Sequence, residues 1–540
     1  MKATKYILCG LAVLALVLGA RITSLAQNVT YDDILHSPSH PENWLTYGGN
    51  YASQRFSGLT QINKQNVNSL KLKWVYQLRR TGVFESSPIV VDGLMYVTEP
   101  PTTVTALDVR TGRPVWRWTA DLPRNLLTIG LFPTNRGVAI LGDTVYVATI
   151  DAHLVALDAK TGVVRWNVEV GDNKKAVAIT QAPLAINGKI VVGMGGGEGG
   201  LRGYIDCYDA KDGKRLWRLY TIPTTGEPGV ETWEGDSYKY GGATTWNTGA
   251  YDPELNTLYW GTGNPAPDWN GDARKGDNLY SCSLLAIDAD TGKMKWYFQF
   301  TPHETHDWDA SEPPILFDAT INGKKRKIVA QADRNAFYYV LDRATGEFIT
   351  GQAYAHQTWA KGLDAKGRPI ELPNIDPSTQ GTLIYPSITG TVNWTSSSYS
   401  PLTGLFYVNT REQGAYYYKG HEKMDPYNPN DIGGGGGQKL VNGDAAYTAV
   451  RALEATTGNR KWEFKMVGDS WTGTLVTAGG LVFCADSQGN FFALDADNGK
   501  PLWNIQLGNA LRANPITYAV DGKQYVVGEA GTSVSVFGLP

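Results

Sequence analysis

One phrase recurs along the chain and limits what it can fold into. It reads ALDVRTGRPVW from Ala106, ALDAKTGVVRW from Ala156, CYDAKDGKRLW from Cys207 and AIDADTGKMKW from Ala286. It returns as VLDRATGEFIT from Val340, ALEATTGNRKW from Ala452 and ALDADNGKPLW from Ala493. The frame is apolar-x-Asp-x-x-Thr-Gly-x-x-x-Trp. An alternating apolar strand runs into a turn whose Gly can take the left-handed conformation, and the next strand ends on Trp. A second hairpin pattern stands ahead of each copy, as in SPIVVDGLMYV, VAILGDTVYV, APLAINGKIVV and LVTAGGLVFC. With TGAYDPELNTLYW, PPILFDATINGKKRKIV, SYSPLTGLFYV and NPITYAVDGKQYVV there are eight first hairpins against seven second ones. The last unit ends in SVSVFGLP without a Trp-bearing strand, while a partnerless one, LKLKWVYQL around Trp74, lies near the other end. The expected fold is therefore all-β: an eight-bladed β-propeller with four-stranded, Trp-docked blades, the last closed by the N-terminal strand. A ring also absorbs residues 27–540 into one domain, where length alone suggests several.

Composition agrees with many short strands and tight turns, with 61 Gly, 29 Tyr and 17 Trp. A charged fraction of 19% against 42% apolar residues excludes a disordered chain. A formal charge of −3 offers no polyanion-binding surface, so no nucleic-acid partner is expected. At the N-terminus, Lys2 and Lys5 precede an uncharged run from Tyr6 to Ala20, followed by Ser24-Leu25-Ala26. The run is short for a bilayer span and reads as a signal peptide, 1–26, which places the mature chain in the periplasm with no membrane span of its own. Cys207, Cys282 and Cys484 then remain, as small buried apolar residues. No C-x-x-C-H motif occurs, so no covalent c-type haem is expected. Insertions at 219–245, 262–280, 350–392 and 411–447 interrupt the repeat; the last holds Gly433 to Gly437, read as a flexible run without a strand pattern. Loops of this length on a regular scaffold often carry function.

Several polar clusters fall outside the repeat. Glu198 sits in the glycine run GMGGGEGGLRG, where backbone can approach a ligand closely, and Asn264 follows a strand in YWGTGNPAPDW. His303, Glu304, His306, Asp307 and Asp309 crowd TPHETHDWDASEPP, at a spacing that matches no zinc motif. Glu198, Asn264, Asp307 and Asp309 are oxygen donors from the strand ends of successive units, a set that suits calcium. Arg136 in FPTNRG and Arg334 in ADRN are costly inside a funnel unless they meet an anion, and a guanidinium fork suits a carboxylate.

At these residues the sequence resembles the pyrroloquinoline quinone (PQQ) dependent alcohol dehydrogenases of the methanol/ethanol type, from YGGNYASQRFSGL near Tyr47 to the C-terminus. The resemblance implies an eight-bladed propeller holding PQQ and one metal ion in its funnel. By motif match, FESSPIVV places Glu85, NRG Arg136 and ITQAP Thr180 on the cofactor, Arg136 meeting a carboxylate. GGGEGG places Gly196 and Gly197 beside it and Glu198 on the metal. GGATTW supplies Thr244 as a hydrogen-bonding partner and Trp246 as the stacking floor. GTGNP places Asn264 on the metal, and HDWD makes Asp307 the catalytic base near or on it. DRN sets Arg334 on the quinone oxygens, VNW sets Asn393 nearby, and DSWTGT sets Trp471 at the far edge.

The implied reaction is oxidation of a primary or small alcohol to the aldehyde. The metal polarises a quinone carbonyl, Asp307 takes the hydroxyl proton and hydride passes to PQQ. A separate soluble cytochrome c would take the electrons, and a homodimer is one assembly open to such a chain. The sequence departs from the family twice. Many members carry an adjacent Cys pair against PQQ where this chain has Gly130 and Leu131, leaving cover to Leu131 or Phe132. Asp309 matches an extra Asp of lanthanide-using relatives, yet membrane glucose dehydrogenases have an Asp at the same spacing, so calcium and a lanthanide both stay open. Two competing readings are a cofactor-free exported propeller that scaffolds protein assembly and a PQQ-dependent sugar dehydrogenase.

Overall fold

A short local device builds the last strand pair of each sheet that carries the repeated phrase. In the first copy of the repeated phrase, Asp108 Oδ1 accepts hydrogen bonds from the Arg110 and Thr111 amides at 2.9 and 3.1 Å and from the Thr111 hydroxyl at 3.2 Å. The Gly112 amide closes the turn on the Asp108 carbonyl at 2.8 Å. Asp158 and Asp288 repeat the pattern. The side chain supplies acceptors that the turn backbone lacks, so each hairpin is encoded within a few residues.

The computed structural model describes residues 28–128, 132–420, 435–441 and 446–540. The expected signal peptide, Gly130 with Leu131, and Gly433 with Gly434 lie outside the described residues. Among the described residues are seven four-stranded sheets and one of five strands, antiparallel apart from one added strand. In chain order they span 89–119, 139–169, 184–220, 250–299, 315–353, 398–466, 475–506 and 516–538. The eighth is completed by Lys71–Gln77, which pairs antiparallel with Ser533–Gly538, Trp74 opposite Val536. The added strand is Phe56–Ser57, parallel to Leu475–Thr477 of the seventh sheet, a pairing no repeat signals. Just before it Arg55, fully buried, donates to the carbonyls of Tyr47, Thr474 and Pro515 at 2.6, 3.1 and 2.6 Å and to Ser87 Oγ at 3.2 Å, and so joins the segments that lead into the first, seventh and eighth sheets. No helix of the described residues is long and apolar enough to cross a membrane. Cys207, Cys282 and Cys484 are free and buried.

The repeat tryptophans join one sheet to the next. The Trp74, Trp116, Trp166, Trp217 and Trp462 indoles donate to the carbonyls of Val109, Ala159, Ala210, Ala289 and Ala496, each directly after the turn Asp of another sheet. Tyr96, Tyr146, Tyr407 and Tyr518 send their hydroxyls to the same set of carbonyls. Trp74 and Tyr518 belong to the eighth sheet and Val109 to the first. Trp503 has no such turn to meet and packs edge-on against Phe537 of the eighth sheet, centroids 5.4 Å apart. Apolar contact follows the same seams. Tyr96, Val155, Val191 and Leu285 share one core cluster, and Phe483, Val536 and Val97 another.

One expectation is corrected. The run Gly433 to Gly437 is not devoid of strand: Gly436–Leu440 pairs with Ala415–Lys419, which pairs in turn with Thr382–Ile384. Ladder hydrogen bonds formed with a tyrosine-rich neighbour override the weak intrinsic preference of glycine for a strand.

The Trp–turn contact requires glycine. Gly162 has φ +71°, and a Cβ there would stand 2.5 Å from Trp116 Cε3. Gly226 has φ +89° but open space around it. Gly162→Ala should therefore cost clearly more than Gly226→Ala, which carries only the ~1–2 kcal/mol of left-handed strain. Equal drops in thermal midpoint for the two variants would remove the Trp contact as the cause.

Candidate active site

The sheets point their loops at one cavity of about 280 Å³, at the lower end of the range of roughly 300–1,000 Å³ for small-ligand sites. Its wall contains Glu85, Arg136, Thr180, Gly196, Glu198, Thr244, Trp246, Asp307, Asp309, Arg334, Asn393 and Trp471. These positions span the chain from before the first sheet to before the seventh, and the fold brings them together. Gly197 and Asn264 stand behind the wall.

One side of the cavity is cationic and aromatic. Arg136 is buried; its Nη2 lies 2.7 Å from Glu85 Oε2 and its Nη1 donates to Thr180 Oγ1 at 2.6 Å. Its Cζ sits 5.1 Å from the Trp246 ring centroid and 4.8 Å from that of Trp394, within cation–π range of both. Arg136 Nε is buried without a hydrogen-bond partner, a donor whose satisfaction calls for an added acceptor. Burial pushes the Glu85 carboxyl up, against the pull of Arg136 and Arg512. Trp471 donates to Asp469 Oδ2 at 2.9 Å, which fixes its ring at the cavity edge.

The other side is acidic. Asp309 Oδ1 accepts from the Asn264 backbone amide at 2.6 Å; Asp309 Oδ2 accepts from Trp246 Nε1 at 3.2 Å and lies 3.0 Å from Arg334 Nη2. Arg334 Nη1 donates to the Asp307 carbonyl at 2.8 Å and its Nη2 to Asn393 Oδ1 at 3.0 Å. Arg334 thus spans Asp307, Asp309 and Asn393. Burial pushes the Glu198 carboxyl up to about 7, with the Asp309 charge adding to the rise and Arg334 opposing it. Asp307 is driven well above the ordinary carboxylate range by burial and then by Asp309, again against Arg334. Its side chain keeps 20% of its surface open, and it lines the cavity.

Local structure explains these placements. Asp307 has φ +63°, a conformation that Asp tolerates better than most residues. Glu304 holds the turn: its carboxylate accepts the His306 amide and, at 3.1 Å, the Asp307 amide. Buried His306 stacks on Trp308 at 4.4 Å and pairs with the Ile375 carbonyl at 3.0 Å, while His303 pairs with the Gly276 carbonyl at 2.9 Å, so both histidines are occupied structurally. The glycines have packing reasons. A Cβ at Gly196, φ +96°, would meet the Ala176 carbonyl at 2.2 Å, and one at Gly197 would press Thr244 Cγ2 at 3.2 Å. Gly263, not singled out by sequence, leaves room for Asp309 Oδ1, which a Cβ would meet at 2.5 Å.

The donor set fits a hard cation. Glu198, Asp307 and Asp309 are carboxylates on one wall whose mutual repulsion a cation relieves. Asn264 Nδ2 donates to Asp268 Oδ1 at 2.8 Å, which leaves the amide oxygen as its free acceptor. Among the described residues no three His, Cys, Asp or Glu side chains already converge as a cage. Asp309 is engaged instead by Arg334, Trp246 and Asn264. Sequence reasoning missed Trp394, Ile388, Thr389 and Arg512, which also line the cavity. Phe132, named as a cover for the cofactor, lines it with 67% of its surface exposed.

Comparison with known proteins agrees with this geometry. The family profile "PQQ: Glucose/ethanol/alcohol dehydrogenase, beta-propeller domain" matches residues 44–354 and 466–526. The chain is 40% identical to quinohemoprotein alcohol dehydrogenase ADH-IIG of Pseudomonas putida, over 95% of this chain and 75% of that protein. It is 36% identical to the lanthanide-dependent methanol dehydrogenase of Methylacidiphilum fumariolicum strain SolV, over 98% of this chain and 91% of that one. The solved structure of a europium-containing methanol dehydrogenase superposes with a TM-score of 0.89 at 33% identity, covering 94% of this chain and all of that one. An all-β chain of four-stranded sheets, matched by this profile over most of its length, belongs to the PQQ-dependent glucose/ethanol/alcohol dehydrogenase β-propeller family.

Proposed function

We propose that the protein oxidises a primary or small alcohol to the aldehyde as a PQQ- and metal-dependent alcohol dehydrogenase. The carrying observation is the shared cavity, whose wall combines buried arginines and indoles with a cluster of carboxylates. A protein-assembly scaffold has no use for this charge arrangement. When bound, PQQ supplies a two-electron acceptor and the cation a Lewis acid.

The chain's own groups divide the remaining work. Arg136, with Glu85 and Thr180 holding its fork, binds an acid group of the cofactor, its free Nε adding a donor. Trp246 offers a flat face and Thr244 a hydroxyl. Glu198, the Asn264 amide oxygen, Asp307 and Asp309 are the oxygens that would hold calcium or a lanthanide. Arg334, steadied by Asn393, aims positive charge where negative charge develops in the reaction. Asp307 takes the alcohol proton on a carboxylate oxygen. A soluble cytochrome c accepts the electrons singly. The mature chain, 27–540, acts in the periplasm as one eight-bladed propeller closed by its N-terminal strand. That closure is supported by the pairing of Lys71–Gln77 with Ser533–Gly538 and by Trp74 on the first sheet's turn. The periplasmic address rests on the charge and apolar pattern of residues 1–26.

Thermal shift of the mature chain with PQQ, calcium and lanthanum, singly and paired, tests the cofactor reading, because a ligand that binds the native state raises its stability. Stabilisation that needs PQQ and metal together is expected; none under any pairing would sink the enzyme reading. Asp307→Asn should lower turnover by about 10²–10⁴-fold, the usual range for a general base, while PQQ binding persists. Wild-type turnover in that variant would take the base role from Asp307. Asp309→Ala should depress lanthanum-supported activity at least tenfold more than calcium-supported activity, since a trivalent ion gains more from an added anion. Equal losses with both ions would strike out Asp309 as a lanthanide-selecting ligand.

A further inference from the structure

A register rule runs through the wall of the cavity. Glu85, Thr180, Trp246, Trp394 and Trp471 each stand four residues before the first strand of their sheet, which begin at Ile89, Leu184, Ala250, Ser398 and Leu475. All five line the cavity. The same place before Ile516, the start of the eighth sheet, is held by Arg512, and Arg512 lines the cavity too. Its neighbours fix its direction. Leu511 and Ala513 are buried on either side, the Leu511 carbonyl accepts from Thr472 Oγ1 at 3.1 Å, and Leu511 bridges to Ala530. The side chain between them stays 34% exposed.

Of the three arginines in the wall, two are committed to protein acceptors and Arg512 is not. Arg136 donates to Thr180 and pairs with Glu85; Arg334 donates to Asp307 and Asn393 and pairs with Asp309. Among the described residues no oxygen accepts a hydrogen bond from Arg512. Glu85 Oε1 is 4.0 Å from its Nη1, and the other oxygen of that carboxylate already lies 2.7 Å from Arg136. The Arg512 guanidinium carbon is 5.5 Å from the Trp471 ring centroid, a contact that steadies the plane without using its N–H groups. A guanidinium fork held in this way presents paired donors to a planar carboxylate.

We propose that Arg512 is a carboxylate-binding residue of the cavity, receiving an acid group either of the cofactor or of an acid-bearing alcohol. The proposal rests on the PQQ reading above. It adds a second anion point to the one built on Arg136, on the wall contributed by the last sheet.

The test uses the mature chain with calcium. PQQ and its trimethyl ester are titrated into wild type, Arg512→Gln and Arg512→Lys, with binding followed by calorimetry. KM is then compared for a neutral primary alcohol and an ω-hydroxy acid of the same length. If the acid belongs to the cofactor, Arg512→Gln weakens PQQ binding at least tenfold, Arg512→Lys weakens it less, and the ester binds all three proteins alike. If it belongs to the substrate, PQQ affinity holds while KM rises at least tenfold for the hydroxy acid alone. Unchanged PQQ affinity together with an unchanged KM ratio, in a variant that melts like wild type, overturns the proposal. A wild-type chain that binds no PQQ overturns the enzyme reading along with it. Should the Gln variant fail to fold, the Lys variant carries the same comparison, because it keeps the charge and loses the fork.

Discussion

The structure depends on an indole N–H meeting a backbone carbonyl one residue past a turn aspartate. That carbonyl sits at the edge of one sheet and its donor comes from another. Five tryptophans make the contact, and tyrosine hydroxyls reach four of the same five carbonyls. Each bond contributes only about 1 kcal/mol net, but the ring it directs buries a large apolar face against a turn that glycine keeps flat. Sheet-to-sheet geometry is thus repeated rather than negotiated afresh, and loops that precede equivalent strands arrive at equivalent places around one axis of approach.

That repetition explains what could be read in advance. The Asp-x-x-Thr-Gly turn is local, so strand, turn and Trp were visible as a linear pattern, and the all-β class followed. The polar residues of the site were visible because they violate the pattern. What escaped depends on contacts between distant segments. Arg55 meets carbonyls of residues 474 and 515, and the Phe56–Ser57 strand pairs with residues 476 and 477. Gly436–Leu440 is a strand only because Ala415–Lys419 lies beside it. Trp394 resembles any packing Trp, and Arg512 any surface Arg, until their strand register is known. The glycines near Glu198 were assigned to ligand approach; Gly196 does line the cavity, and it also has a packing reason that only the fold shows, the Ala176 carbonyl 2.2 Å from where a Cβ would stand.

The cavity holds two groups of charged side chains, and Trp246 touches both. Arg136 with Glu85 makes one nearly neutral pair, and Arg334 bridges the second side, where Glu198, Asp307 and Asp309 outnumber it. The acidic side is therefore left short of positive charge, which is why burial and mutual repulsion push the Glu198 and Asp307 carboxyls up. Under the proposed function the arrangement would separate two demands, with aromatic stacking and acid recognition at Arg136 and Trp246 and oxygen coordination and proton removal at the carboxylates.

The eighth sheet is built from both ends of the described chain, Lys71–Gln77 beside Ser533–Gly538, and Arg55 joins the segments leading into it and into its two neighbours through Pro515, Thr474 and Ser87. A chain growing from its N-terminus therefore carries Lys71–Gln77 without this partner until residues 533–538 are made. The wall positions run from residue 85 to residue 512, so no single sheet or short segment contains the whole pocket. A pocket whose wall draws on both Glu85 and Arg512 is enclosed only by a chain folded over that whole span.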